Sequence, residues 1–295
     1  MTKDISQPLF ECIIKHAKIL CPNKRKPRYT HEYYLKNILK VLSTVVTWSS
    51  LKDLNTYNGK TKYHYKTISD IHKLWSDTGV YEVAYIELVQ TKNILIKNKK
   101  LIELLIDSTL IINRSGVECI GYGTQDRKKK FTKLTALTNM KGENVAINVD
   151  AVNKKKIEHV ISGKNIKKVI PTLSHDVMNV ESIVKKIRDP SRSNIRKSQH
   201  VKLYGDKGYT IKQENQNKLN SLYDTKLVHN IKKNHNKKNT KKEEKSLKSR
   251  INVEHMFSNI KVYNRIHVRR DKTISSYLGF VYLGCIIKFG KVSTE

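Results

Sequence analysis

Asp107 is a carboxylate in a position where burial would be costly. It directly follows the apolar run Leu104–Ile106, so a strand that carries it would take its charge out of water. An unpaired buried charge costs several kcal/mol, and something must compensate it. A divalent cation would do so, and so would a buried Arg or Lys partner. The sequence leaves both answers open.

Asp206 lies toward the end of the short strand predicted in VKLYGDKGY, residues 201–209. The ends of strands in open α/β sheets are where ligands usually bind. Gly205 and Gly208 allow close backbone approach, and Lys207 supplies a positive charge for a phosphate. The alternative is a strand-to-helix turn in which Asp206 serves only as a helix cap.

Glu254 falls in the helix predicted over residues 250–262. The apolar stripe of that helix, at i, i+4 and i+7 spacing, consists of Val253, Phe257 and Ile260. Glu254 lies beside this stripe, with Arg250 and Lys261 on the same edge, so it could reach strand ends that carry Asp107 and Asp206. The alternative is an ordinary surface pair between Arg250 and Glu254, worth a few tenths of a kcal/mol.

The elements before residue 100 are predicted to be helical, because apolar residues recur there at helical spacing. Several short helices with tight turns predict a small all-α domain over residues 1–100. It is either a helix-turn-helix-like DNA reader or a plain helical subdomain. Two helix starts that resemble capping boxes are Ser50 with Asp53 and Thr67 with Asp70.

The segment from residue 101 to residue 295 has the pattern of an α/β domain. Its nearly continuous apolar start, 101–112, is typical of a strand buried on both faces. Three antiparallel strands, a helix, and then alternating strands and helices predict a ribonuclease-H-like mixed sheet flanked by helices. The lysine-rich segment at about 232–250 has almost no apolar residues and is expected to be a loop. It either closes on DNA phosphates or is a solvated linker.

The composition favours a nucleic-acid partner, since 58 Lys and Arg against 26 Asp and Glu give a net charge of +32. Biased codon usage also produces such a lysine-rich chain. The four cysteines have no paired spacing, which argues against a zinc ribbon or a disulfide framework. Likewise, no two histidines have the close spacing of a helical metal-ligand pair.

Nothing in the sequence predicts membrane insertion or secretion. The first residues lack the layout of a signal peptide. The most apolar stretch, 277–287, is shorter than the roughly 20 residues that cross a bilayer. We therefore expect an intracellular protein with access to DNA, in a prokaryotic cytoplasm, a nucleus or a viral replication site.

The sequence resembles the DDE transposases of bacterial insertion sequences, and the related nucleases of eukaryotic and viral mobile elements. The resemblance covers about residues 101–287. It rests on LIDST at Asp107, FTKLTALTNMKG around Lys133, SHD at Asp176, YGDKGY at Asp206, and the R-x-x-x-E-x-x-F-x-x-x-K pattern from Arg250 to Lys261. The short interval between Asp206 and Glu254 is similar to that of the compact members.

This resemblance implies a transposase that cleaves phosphodiester bonds and transfers strands at the ends of a mobile element. It implies Asp107, Asp206 and Glu254 as catalytic residues and as ligands of two Mg²⁺ ions, with Mn²⁺ as a substitute. The residues that it brings near the DNA backbone are Lys133, Lys207, Arg250 and Lys261. The partners implied are double-stranded DNA, both element ends and target, and a second copy of the chain in a dimer or larger assembly.

Other functions are consistent with the same residues. A transposase-derived nuclease would cut DNA without joining it, and a non-catalytic DNA-binding protein could retain the fold. An RNA-binding protein would rely on the basic surface alone, but the chain has no aromatic signature of the RRM type.

Overall fold

The structure is a computed structural model. It describes residues 5–22, 29–44, 47–51, 64–91, 100–122, 129–149, 152–161, 164–173, 179–192, 195–196, 198–231 and 238–291, with the backbone alone for 152–161, 164–173 and 290–291. The chain divides into two compact units. One contains residues 1–88 and 259–295, and the other contains residues 89–258.

The first unit is helical. Its helices are α1 (Gln7–Leu20), α2 (His31–Ser43), α3 (Tyr65–Asp77), α4 (Val80–Thr91, which continues past residue 88), α9 (Asn264–His267) and α10 (Ile274–Lys291), together with the two-residue strand β9 (Val268–Arg269). A buried histidine lies in its core: the ring nitrogens of His72 contact the Tyr81 hydroxyl at 3.1 Å and the Ser276 carbonyl at 3.0 Å. Burial lowers the pKa of His72 to about 3, so this histidine is a neutral core residue.

One predicted helix start in this unit is wrong. Helix α3 begins at Tyr65 and not at Thr67, because the side chain of His64 accepts a hydrogen bond from the backbone N–H of Lys66. The other predicted start depends on Asp53, which lies outside the described residues. Within the described part of the chain, no helix is both long and apolar enough to span a bilayer.

The second unit is built on a mixed sheet. Its strands are β1 (Leu101–Asn113), β2 (Gly121–Tyr122), β3 (Lys130–Asn139), β4 (Asn144–Val149), β5 (Val152–Ile161), β6 (Lys164–Leu173), β7 (His200–Gly205) and β8 (Thr225–His229). They lie in the order β5-β6-β2-β3-β1-β7-β8, and β4 pairs with β3. Strand β1 is antiparallel to β3 and parallel to β7, and β8 is parallel to β7.

Helices flank this sheet. Helix α5 (Val180–Arg188) packs against β4, α6 (Gln213–Tyr223) against β8, and α7 (Lys241–Lys248) against β7. Helix α8 (Ile251–Lys261) follows α7. The prediction of an α/β fold with a mixed sheet between helices is therefore confirmed.

Helix α7 corrects the prediction that the whole basic segment 232–250 is a loop. Residues 241–248 are helical although they are almost entirely polar. A capping box explains the start of the helix: Thr240 accepts from the backbone N–H of Glu243, while the Glu243 side chain accepts from the N–H of Thr240. Leu247 is buried and fixes one face of the helix. Residues 232–237 lie outside the described residues.

Candidate carboxylate site

The register of the parallel strands β1 and β7 brings two of the three acidic residues side by side. Leu101 lies opposite His200, and the pairing continues without a shift to Leu105 opposite Tyr204. Asp107 and Asp206 each lie two positions beyond the last pair of this register, at the same end of the two parallel strands, and Asp206 directly follows β7. Neighbouring strands lie about 4.8 Å apart. The two carboxylates are therefore carried on adjacent strands at one level of the sheet.

A tyrosine after β7 fixes the backbone at this level. Tyr209 is fully buried, and its hydroxyl lies 2.8 Å from the hydroxyl of Ser108, which in turn lies 2.7 Å from that of Thr135. A Cβ at Gly205 would come within 2.7 Å of the Tyr209 ring, so only glycine leaves room for that ring. These contacts link β1, β3 and the segment after β7 immediately beside the two aspartates.

Asp206 has a local structural role as well as its place beside Asp107. It precedes a short 3-10 helix, Lys207–Tyr209, and its Oδ1 accepts a hydrogen bond from the N–H of Gly208 at 2.8 Å. The capping alternative is therefore realised. The cap uses only one of the two carboxylate oxygens of Asp206, and the Asp206 side chain is only partly buried.

Glu254 is presented by the first turns of α8. The helix is held to the β3–β4 turn because the side-chain amide of Asn252 donates to the carbonyl of Met140 at 2.8 Å. The predicted apolar stripe is buried, with Val253 fully enclosed and Phe257 only 5% exposed. Glu254 lies beside that buried face, and its side chain remains 48% exposed.

Arg250 joins two of the carboxylates. Its Nη1 lies 2.7 Å from Oδ2 of Asp107 and 2.7 Å from Oε1 of Glu254. Both alternatives to metal binding, an arginine partner for Asp107 and an Arg250–Glu254 pair, are thus present together. A single guanidinium nitrogen is shared between the two acids, so neither receives the whole charge of the arginine.

The pKa of Asp107 nevertheless rises, from 3.8 to about 6. Burial is the main cause, and the nearby charges of Asp206 and Glu254 act in the same direction. The N–H of Ser108, which donates to Oδ1 of Asp107 at 2.8 Å, and the charge of Arg250 oppose them but do not outweigh them. The charges of Asp206 and Glu254 therefore both disfavour ionisation of Asp107, and one arginine only partly offsets this repulsion.

The donor set suits a hard divalent cation, because Mg²⁺ binds carboxylate oxygens and would relieve that repulsion. The three carboxylates do not form a compact cluster, however. Among the described residues, the one group of three ligand atoms from His, Cys, Asp or Glu that all lie within 4.8 Å of one another is Cys12, His16 and Glu87. The carboxylates of Asp107, Asp206 and Glu254 are spaced more widely, with Arg250 between the first and the third.

The lysines singled out in the sequence have different environments. Lys207 is exposed directly after Asp206. Lys133 is 6% exposed on β3, where it lies opposite Leu110 of β1. Lys261 belongs to the other compact unit, and burial lowers its pKa. Of the four residues predicted near DNA, Lys207 directly follows Asp206 in the sequence, and Arg250 pairs with Asp107 and Glu254.

Comparisons with known proteins give one distant structural neighbour. No protein-family model matches the chain, and no curated protein matches it. A cryo-EM structure of a piggyBac transposase synaptic complex with hairpin DNA matches 97% of this chain and 72% of that chain. The sequence identity is 11% and the TM-score is 0.47.

Sequence analysis missed two residues that hold the site in place. Ser108 and Tyr209 lie within the LIDST and YGDKGY motifs but have no charge, so the sequence did not indicate them as site residues. Their hydroxyl contact crosses 101 positions of sequence. The available signal in the sequence was a tyrosine that closely follows the glycine-containing strand of the YGDKGY motif.

Proposed function

We propose that the carboxylate site of Asp107, Asp206 and Glu254 holds two Mg²⁺ ions and cleaves DNA phosphodiester bonds, as part of a DNA transposase that also transfers strands. The observation that carries this proposal is the parallel β1–β7 register, because Asp107 and Asp206 each follow its last pair by two positions. The raised pKa of Asp107 is consistent with it, since burial is the main cause and the charges of Asp206 and Glu254 act in the same direction.

The order of the strands supports a ribonuclease-H-like arrangement. Strand β3 is antiparallel to both β1 and β4, and β7 and β8 follow on the other side of β1 in parallel. A helix precedes each of the last two strands. These elements agree with the predicted succession of three antiparallel strands, a helix, and alternating strand and helix, whereas β2, β5 and β6 are additional strands before the helix.

Asp107 would lie at the centre of the site and contribute to both cation positions, with Asp206 on one side and Glu254 on the other. Bound Mg²⁺ would supply Lewis-acid activation of the attacking hydroxyl and stabilisation of the leaving oxygen. The protein's own contribution is positioning: α8 and the β1–β7 register hold the carboxylates, and Tyr209 fixes the backbone beside them.

Arg250 has two roles in this proposal. In the structure its guanidinium pairs with both Asp107 and Glu254 and partly neutralises them. Cations at the carboxylates would repel its guanidinium and leave it available for a DNA phosphate, which arginine binds through paired hydrogen bonds. Exposed Lys207 would contact the backbone beside it. DNA contacts by Lys133 and Lys261 remain predictions.

The test is the nicking of supercoiled plasmid with Mg²⁺ or Mn²⁺ by the intact protein, Asp206→Asn and Glu244→Gln. Glu244 is an exposed acid of α7 that lines the same open groove as Glu254, so it is the matched control. We expect metal-dependent nicking by the intact protein and by the control variant, and none by Asp206→Asn. Equal nicking by all three would contradict the proposal. Joining of a labelled 3′ end to the plasmid then separates a transposase from a nuclease.

A non-catalytic DNA-binding protein is the second candidate, and the ion pairs of Arg250 favour it. They give Asp107 and Glu254 a cationic partner from the protein itself. This function predicts tight plasmid binding by all variants with no cutting by any of them. It also predicts that Mg²⁺ leaves the thermal stability unchanged, whereas a cation site would be stabilised by its ligand.

A further inference from the structure

A cysteine, a histidine and a glutamate meet in the helical unit, which is a different compact unit from that of the carboxylate site. Cys12 and His16 lie four residues apart on α1, so their side chains share one face of the helix. Glu87 reaches them from α4. One ligand atom from each residue, the Sγ, a ring nitrogen and a carboxylate oxygen, lies within 4.8 Å of the others.

We propose that Cys12, His16 and Glu87 form a binding site for Zn²⁺ that joins α1 to α4. This proposal does not rest on the function proposed above.

The spacing of the three ligand atoms is close to what zinc requires. Zinc bonds of about 2.3 Å to sulfur and about 2.0–2.1 Å to nitrogen or oxygen put tetrahedral ligands roughly 3.3–3.6 Å apart. His16 Nε2 and Glu87 Oε2 are now 2.6 Å apart in a hydrogen bond, so they would separate slightly. The sulfur would approach by no more than about 1.5 Å, which side-chain rotation can supply.

The chemistry of the donors selects the metal. A thiolate together with an imidazole suits Zn²⁺ and similar transition ions, whereas Mg²⁺ and Ca²⁺ prefer oxygen ligands alone. Three protein ligands leave a fourth tetrahedral position for water. The position is accessible, because the Glu87 side chain is 38% exposed while that of His16 is 11% exposed.

A lysine competes with the metal. The Lys15 ammonium lies 2.8 Å from both carboxylate oxygens of Glu87. Its side chain is 53% exposed, so zinc can displace it into water without burying a charge. Lys15 therefore weakens the site but does not block it.

The test uses Co²⁺ as a spectroscopic substitute for Zn²⁺ in the full chain after chelator treatment. Sulfur ligation gives a thiolate-to-cobalt charge-transfer band, which the carboxylate site cannot produce because it has no sulfur. We expect this band at one equivalent, and its loss on addition of Zn²⁺. Cys12→Ser should abolish the band, while the matched control Cys21→Ser, near the end of the same helix, should retain it. A band that survives in Cys12→Ser, or bound Co²⁺ without a band, would overturn the proposal.

Two further variants keep the test independent of any loss of folding. His16→Gln removes a ligand and should weaken Zn²⁺ binding by at least about tenfold, since even outer-shell partners cost that much. Lys15→Gln removes the competitor and no ligand, so binding of Zn²⁺ by titration calorimetry should tighten. Unchanged or weaker binding in Lys15→Gln would show that Glu87 is not a ligand and would refute the site as described.

Discussion

Replacement of Asp107 by asparagine tests whether the Asp107 carboxylate stabilises the fold through its ion pair with Arg250, or destabilises the fold and serves to bind a metal. The pKa of Asp107 rises from 3.8 to about 6 in the folded protein, so its ionisation is less favourable there than in the unfolded chain. A shift of about 2 pH units at about 1.4 kcal/mol each is about 3 kcal/mol. Asparagine has nearly the same shape as aspartate but carries no charge. We therefore expect Asp107→Asn to raise the free energy of unfolding at pH 7 by about 2–3 kcal/mol.

The direction of this change in stability follows from how the free energy of unfolding depends on pH. A carboxyl with a raised pKa contributes its stabilisation in full below the unfolded value of 3.8, and that contribution is lost as the pH rises through about 6. The intact protein and Asp107→Asn should therefore differ by less than about 1 kcal/mol at pH 4. The gap should open between pH 4 and pH 7.

The assay is urea unfolding of both proteins with a chelator present, at pH 4 and at pH 7. Asp189→Asn is the control. Hydrogen bonds from Ser191 lower the pKa of Asp189, so its replacement should not raise the free energy of unfolding. A loss of stability in Asp107→Asn at pH 7 would refute the reasoning. It would mean that the contact with Arg250 is a stabilising buried ion pair, whose disruption typically costs about 3–5 kcal/mol.

Three other changes test the surroundings of the site. Gly205→Ala should lower the free energy of unfolding by about 1–3 kcal/mol and reduce nicking, because its Cβ would meet the Tyr209 ring at 2.7 Å; unchanged urea unfolding would contradict the tight packing. Lys207→Ala should weaken DNA binding and reduce the slope of log affinity against log salt by about 1, measured by fluorescence anisotropy at several salt concentrations. An unchanged slope would argue against a phosphate contact there. Thr240→Ala removes the cap of α7 and should cost about 1 kcal/mol in urea unfolding, whereas no change would mean that packing alone holds the helix.

The elements around the site were predictable where apolar periodicity is strong. The apolar run 101–112 predicted β1, and the β3–β4 hairpin turns at Gly142. That glycine has a φ of +85°, which other residues rarely adopt. The helix that carries Glu254 was predicted over 250–262 and is observed as Ile251–Lys261. Each of these signals is local in sequence, which is why it could be read without the structure.

Other features depended on contacts that sequence patterns do not contain. The antiparallel strands β5 and β6 are rich in lysine and gave no strand signal. Residues 259–295 form a compact unit with the N-terminal helices, because distant pairs such as His72 with Ser276 join them. The spacing of Cys12 and His16 was visible in the sequence, but the partner Glu87 comes from another helix, 71 positions beyond His16.

The connection between β1 and β7 also determines when during synthesis the carboxylates meet. The contact between Asp107 and Arg250 closes a span of 143 positions, and parallel pairing between distant strands is slow to form. Chains emerge from the ribosome at about 5–20 residues per second, so β1 exists for several seconds before α8 does. A nascent chain that stops short of Glu254 lacks the third carboxylate. An enzyme of the proposed kind would therefore complete its metal site only after most of the chain has been synthesised.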